Sequence, residues 1–460
     1  MGAVTISQTV QFSAFSAATL IDQVGAVFAE LPDSRGKSNN RQYDMKDGAL
    51  SAFSVFFLQN PSFLSSQINL QKGHGKNNAT SLFGIHKIPS DNQIRNLLDP
   101  VPPETLFPLM AHAGDELYRH GHLDAFRSVN STFLIALDGT DFFSSDTVSC
   151  PHCSHSKQKN GKTLNRHIVV TPVLLAPGQR NVVMLPPEFV TPQDGHAKQD
   201  CELAASARWL KQWGPHYGAW GVTYLGDDLY CHQPHCERVL RQNASFIFTC
   251  LPQSHQVLYE WIEDFLRNGT VHTVEHTRWD GKKRLLDTYR YVNQVPLRDG
   301  EDALMVNWCE LVTTAQDGKE LYRNAWATSH AIDDASVTAI ASAGRARWKI
   351  ENEGNNTLKT KGYNLEHNFG HGKQNLSNLF ATMILLAFLI HTTLDWIDLP
   401  YRAVRDALPS RRIFFDHTRA LTQYIPFEDW NHLMRFMLDG LRARPPTGSP
   451  TLAIADNINF

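Results

Sequence analysis

The spacing of apolar residues changes character near residue 131. Before it, apolar positions recur every three or four residues, the signature of helices packed on a core. Ala17 to Leu31 predicts one helix, and LSAFSVFFLQNPSFL a second that ends near Pro61. In HKIPSDNQIRNLLDPVPPETLFPLMAHAGDELYRHG, Ser90 is an N-cap for a short helix, Pro100, Pro102 and Pro103 stop it, and another helix follows. From Ser131 onward, short continuous apolar runs take over. STFLIALDGT reads as a buried strand ending in an acid, and LNRHIVVTPVLLAPG and NVVMLPPEFV as two further strands. AKQDCELAASARWLKQW is a predicted helix and GVTYLGDD an apolar strand ending in acids. ERVLRQN is a helical turn and ASFIFTCL another strand.

The order of three strands, helix, strand, helix, strand matches the RNase H-like α/β mixed sheet, antiparallel at first and parallel afterwards. Residues 252–330 interrupt it with alternating segments separated by Asp-Gly and Asn-Gly turns, which predicts a β-rich insertion whose last strand returns to the core. The expected organisation is a helical region over 1–125, an RNase H-like core over 126–251 and 331–395, the insertion over 252–330, and a helical segment with a tail over 396–460. Residues 443–460 read as a loose end.

Composition adds limits. With 42% apolar and 19% charged residues, the chain reads as an ordinary globular protein. FATMILLAFLI, from Phe380 to Ile390, is too short to cross a bilayer and is expected as a buried helix. No basic segment followed by an apolar one opens the chain, so neither a secretory signal nor a membrane partner is expected. Seven cysteines then suit a reducing cytoplasm. Lys and Arg number 43 against 46 Asp and Glu, so the whole chain is not basic, but its charge is unevenly spread. Lys157, Lys159, Lys162 and Arg166 lie in a stretch without acids, and Arg345, Arg347, Lys349, Lys359, Lys361 and Lys373 crowd another. Arg402, Arg405, Arg411 and Arg412 form a third. Such stripes can track a phosphate backbone, although any one of them alone reads more readily as a solvated surface.

Asp138 in LDGT and Asp227 in LGDD terminate apolar strands, where a carboxylate is costly to bury unless it is paired or binds a cation. Ligand sites of α/β sheets lie at such carboxyl ends. Glu351 lies in a helix after the insertion. Three converging carboxylates are reconciled by a pair of divalent ions, about 3.5–4 Å apart, that serve phosphoryl transfer. Hard oxygen ligands select Mg²⁺ or Mn²⁺.

LDGTDFF, LGDDLY and RWKIENEGNNTLKTKGYNLEHNFGHGKQNL together resemble the DDE transposases of bacterial insertion sequences, in the group with a β-insertion before the catalytic glutamate. The resemblance spans residues 85–395. It implies Asp138, Asp227 and Glu351 as the catalytic metal ligands, with Asp227 preferred to Asp228 because Tyr230 stands three places after it. Glu353 is an alternative to Glu351. It also implies a DNA phosphate contact at Arg347, four residues before Glu351 and on the same helix face. Two positions depart from the pattern. The family's tyrosine falls on Gly344, and its lysine on Leu358, with Lys359 one place later. Lys359, Lys361, Lys373 and His371 are the remaining candidates for DNA contact, a core role for His371 coming second.

The implied activity is Mg²⁺-dependent cleavage at transposon ends and strand transfer. Its partners are the terminal inverted repeats and target DNA, both double-stranded, bound by a homodimer in the bacterial cytoplasm at the nucleoid. A nuclease without strand transfer, or a domesticated DNA-binding protein, shares these features.

Cys150-Pro-His-Cys153 and Cys231-His-Gln-Pro-His-Cys236 have spacings suited to tetrahedral zinc. Because each pair follows one of the two aspartates, a single structural zinc held by Cys150, Cys153, Cys231 and Cys236 is expected. His152, His155, His232 and His235 are possible substitutes, and free thiols are the alternative.

Overall fold

The computed structural model describes residues 15–36, 41–192 and 198–443. The tail expected at the C-terminus lies, from residue 444, outside them.

Six helices open the described chain: α1 (Ala17–Ala29), α2 (Met45–Phe57), α3 (Phe63–Gln71), α4 (His74–Phe83), α5 (Asp91–Leu98) and α6 (Phe107–Arg119). Ser90 caps α5 in a full capping box with Gln93. The strands follow: β1 (Phe133–Ala136), β2 (Gly139–Ser145), β3 (Ser154–Lys157), β4 (Thr163–Val170), β5 (Val173–Leu175), β6 (Val183–Met184), β7 (Glu188–Phe189), β8 (Val222–Gly226), β9 (Ser245–Thr249), β10 (His272–Trp279), β11 (Arg284–Pro296), β12 (Met305–Ala315) and β13 (Glu320–Thr328). Between and after them run α7 (Lys198–Gly218), α8 (Gln233–Leu240), α9 (Gln256–Arg267), α10 (Val337–Arg345), a π-helical turn (Ile350–Asn355), α11 (Asn356–Thr360), α12 (Leu376–Ile397), α13 (Leu399–Ala407), α14 (Arg411–Tyr424) and α15 (Trp430–Leu441).

The core strands lie in the order β6-β5-β1-β8-β9. β5 is antiparallel to β1 and β6, whereas β1, β8 and β9 run parallel, which is the RNase H-like mixed sheet. The strands at residues 272–328 extend this sheet, since β13 pairs antiparallel with β9 through Trp326–Thr328 and Ile247–Thr249. Helix α9, inside the β-rich insertion expected over 252–330, was not foreseen; its exposed Trp261 and Leu266 obscure the apolar stripe led by Leu258 and Ile262.

The run LNRHIVVTPVLL is not one strand but two, in different sheets. β4 pairs with β2 and β3 in a smaller sheet, and β5 belongs to the core. The chain changes sheets at Thr171-Pro172. Proline has no N–H to give a ladder, so the break falls there.

Helix α12 outruns its predicted apolar segment and is long and apolar enough, by length and composition, to cross a membrane. Within the fold, 83% of its apolar window is buried. The N-terminal helices provide part of that cover: Phe56 packs edge-on to Phe380 at 5.4 Å, and Phe57 lies 4.4 Å from His391. Asn78, fully buried, donates to the Thr422 and Ile425 carbonyls and accepts the Phe427 amide, tying α4 to the C-terminal helices. Both helical regions thus share one apolar core with the sheet.

Candidate active site

Asp138 and Asp227 stand at equivalent places on neighbouring parallel strands. Ala136 pairs with Leu225, and the Leu137 amide still donates to the Leu225 carbonyl. Two more residues along each strand bring the two aspartates abreast, on strands about 4.8 Å apart. Asp138 is largely desolvated, which pushes its carboxyl up to about 7. Glu202, Asp227 and Glu351 add to the rise by repulsion, and Arg347 opposes it. Burial also raises Asp227, again opposed by Arg347. Four acids and one arginine therefore share one field.

Glu351 sits on the π-helical turn and meets Arg347 at 3.0 Å. Its exposed carboxylate faces the guanidinium, and the three acidic side chains do not close into a tight knot. Among the described residues, two groups of three or more Cys, His, Asp or Glu bring ligand atoms within 4.8 Å of one another, and neither contains Asp138, Asp227 or Glu351. Arg347 offsets the mutual repulsion of these acids.

Three neighbours escaped the sequence reading. Asn355, one turn beyond Glu351, donates to Asp138 Oδ2 at 3.3 Å and accepts from the Thr171 hydroxyl at 3.0 Å. Glu202 on α7 accepts the Gly139 amide at 3.0 Å, and its same oxygen accepts the Tyr230 hydroxyl at 2.7 Å. Tyr230, spaced three from Asp227, thereby reaches the strand that carries Asp138. An acid in the amphipathic DCELAAS gives no sign in sequence that it lies beside Asp138.

Asp228 turns away from its neighbour, accepting the Leu251 amide at 2.7 Å and meeting His255 at 3.3 Å. Glu353 lines a separate cleft of about 800 Å³ with Arg180, Lys361, Arg405, Arg411 and Arg412. Within that basic run, Arg405 and Arg411 lie 3.7 and 4.0 Å from Asp395, Arg411 donates to Tyr363, and Arg412 is exposed. Lys359 pairs with Glu366 at 2.8 Å. Lys361 and Lys373 are exposed, as are Lys157, Lys159 and Lys162 on the β3–β4 hairpin. Gly344, where the family's tyrosine was expected, has no room for a side chain, because a Cβ there would fall 2.5 Å from Trp326 Nε1.

The four-cysteine cluster expected from sequence does not form. Cys150 and Cys153 gather with His167 and His371, whereas Cys231 gathers with Cys250 and His255. The reason is topological. Cys150–Cys153 lies at the base of the smaller sheet, while the segment after Asp227 turns into α8 beneath β9, burying Cys236 apart from either group. His152, His155, His232 and His235 belong to neither group. His371 is not a surface contact for DNA: it is buried, with Nε2 at 3.5 Å from Cys153 Sγ and 3.2 Å from His167 Nε2.

No protein-family model matches the chain, and no curated protein matches it in sequence. Among solved structures, it is similar to the piggyBac transposase in its synaptic complex with hairpin DNA, seen by cryo-electron microscopy. That likeness has a TM-score of 0.40 at 9% identity, over 96% of this chain and 86% of that one. So remote a likeness leaves the site's own geometry to carry the functional reading.

Proposed function

We propose that the chain is a DDE transposase that cleaves DNA at transposon ends and joins the freed 3′-hydroxyl to target DNA. One observation carries the reading: Asp138 and Asp227 end adjacent parallel strands, and Glu351 and Arg347 face them from the turn that follows the added strands. The donor set is oxygen only and anionic, which fits Mg²⁺ or Mn²⁺. Asp138, Asp227 and Glu351 would hold the metal. When bound, it activates the attacking water or hydroxyl and stabilises the leaving oxygen.

The protein's own groups do the rest. Asn355 and Thr171 orient Asp138, and Glu202 fixes the chain just after it. Arg347, which pairs with Glu351 in this structure, would hold the phosphate beside the cut by a bidentate contact. Lys361, Lys373 and the hairpin lysines line the path of the DNA backbone, with Lys359 joining them when it leaves Glu366. The substrates are double-stranded terminal repeats and target DNA, held by a homodimer at the bacterial nucleoid, with residues 1–125 recognising the ends.

The test uses duplexes taken from the DNA flanking the gene. Asp138→Asn, Asp227→Asn and Glu351→Gln should each lower Mg²⁺-dependent cleavage by more than about a hundredfold while retaining binding in a gel shift. Cleavage within about tenfold of wild type in any variant rejects that residue's role. Cleavage by the wild type without joining of a labelled 3′-hydroxyl end reduces the enzyme to a nuclease.

A further inference from the structure

The structure assigns a zinc site to Cys150, Cys153, His167 and His371, which clamps the basic β3–β4 hairpin to the loop that follows the Glu351 segment. All four side chains are buried, and their ligand atoms lie within 4.8 Å of one another. Five of the six edges of the polyhedron are defined: Sγ–Sγ 3.9 Å, Nε2–Nε2 3.2 Å, and three Sγ–Nε2 edges of 3.4, 3.3 and 3.5 Å. Tetrahedral zinc with ordinary Zn–S and Zn–N bonds requires edges of about 3.8, 3.4 and 3.6 Å for the same three classes. The agreement covers every class of edge.

Chemistry favours the same conclusion. Two imidazole nitrogens facing each other can share at most one proton, and the surrounding rings of Phe142 and Phe143 offer no polar partner. Four lone pairs aimed at one buried point call for a cation. On binding, both thiols lose their protons to solvent, and two thiolates neutralise the charge of Zn²⁺, so a neutral centre is buried. The His371 Nδ1 contact with the Gly372 carbonyl, at 3.1 Å, holds Nε2 toward the centre as an outer-shell partner does.

The ligands come from three places. Cys150 and Cys153 form a turn before β3, in which the Cys150 amide points at Cys153 Sγ at 3.4 Å. His167 lies on β4 opposite Phe143, three pairs from the Gly139–Val170 pair that adjoins Asp138, or about 10 Å along the strand. His371 belongs to a loop already fastened to the N-terminal helices. Arg95 donates to the Phe369 carbonyl, and Asp99 accepts the amides of Lys373, Gln374 and Leu376. Zinc would therefore join hairpin, loop and helical region into one rigid wall beside the acidic site.

The inference does not depend on the transposase reading, because its test needs no DNA. Full-length protein purified without chelator should contain about one zinc per chain in this cluster, and X-ray absorption should give two sulfur neighbours near 2.3 Å and two nitrogen neighbours near 2.0–2.1 Å. Exchange with Co²⁺ should produce tetrahedral visible bands and a thiolate charge-transfer band. His371→Ala and Cys153→Ser should lose the metal, and Cys250→Ser should keep it. Amide exchange across residues 150–167 should quicken when the metal is removed. Metal-free wild-type protein overturns the assignment without recourse to any variant. So does zinc that survives His371→Ala but is lost in Cys250→Ser.

Discussion

The Tyr230 hydroxyl and the Gly139 amide converge on one oxygen of Glu202, at 2.7 and 3.0 Å. The two donors follow Asp227 and Asp138 in the chain, so a single buried carboxylate fixes the spacing of both strand ends. Tyr230→Phe removes one donor and should cost about 1–3 kcal/mol in a denaturant melt. Cleavage should fall while DNA binding remains. Unchanged kcat in a correctly folded Tyr230→Phe protein would remove Glu202 and Tyr230 from the positioning of the site.

Glu202→Gln keeps an oxygen for those donors but removes a negative charge from beside Asp138. Since Glu202 is the largest charged contributor to the raised Asp138 carboxyl, that carboxyl should ionise at lower pH in the variant. The acidic limb of the cleavage–pH profile should move toward lower pH. A limb that stays in place would mean that another group sets it.

Stability should respond to Mg²⁺ in a pH-dependent way. Asp138 is pushed up to about 7, so between its ordinary value and 7 the folded chain holds a proton that the unfolded chain releases. The metal-free protein therefore loses stability as pH rises through that window, reaching the full loss above it. Mg²⁺ binds the ionised form and should raise Tm little near pH 5 and markedly near pH 8. Asp138→Asn should abolish the response. Equal Tm shifts at both pH values, measured by scanning fluorimetry, would contradict a metal role for Asp138.

Trp326 and Gly344 bring the last added strand into van der Waals contact with the helix before Glu351. Gly344→Ala places a methyl group into the indole and should destabilise the protein by about 1–3 kcal/mol. A gain in stability would show that the indole relaxes freely.

Asn78 is the polar link between the terminal helical regions. Asn78→Ala leaves two carbonyls and an amide without their partners and should cost at least about 1–3 kcal/mol. A neutral result in chemical denaturation would mean that water replaces all three bonds.

What was legible in sequence was whatever repeats locally. The apolar runs ending in Asp138 and Asp227 announced buried strands, and Ser90 announced a helix start. Contacts between distant segments had no such signal. His167 is one histidine in an apolar run, and only the pairing of β2 with β4 turns it toward Cys150 and Cys153. The cysteine pairs looked equivalent by spacing, yet one belongs to the smaller sheet and the other leads into α8. Nothing beside Asn355 in the sequence marks it as the residue that touches Asp138, 217 positions earlier.

The π-helical turn at Ile350–Asn355 amounts to a helix carrying one residue more than its period requires. Everything beyond that surplus residue is rotated by about 100° relative to what precedes it, the angle that one residue occupies around an α-helix. Arg347 meets Glu351 at the entrance of the turn, and Asn355 at its far end reaches Thr171 and Asp138. The alignment of the site is thus an arithmetic property of the backbone. Losing a single residue such as Gly354 would restore a regular spiral and swing Asn355 off its partner, with every acidic side chain still present.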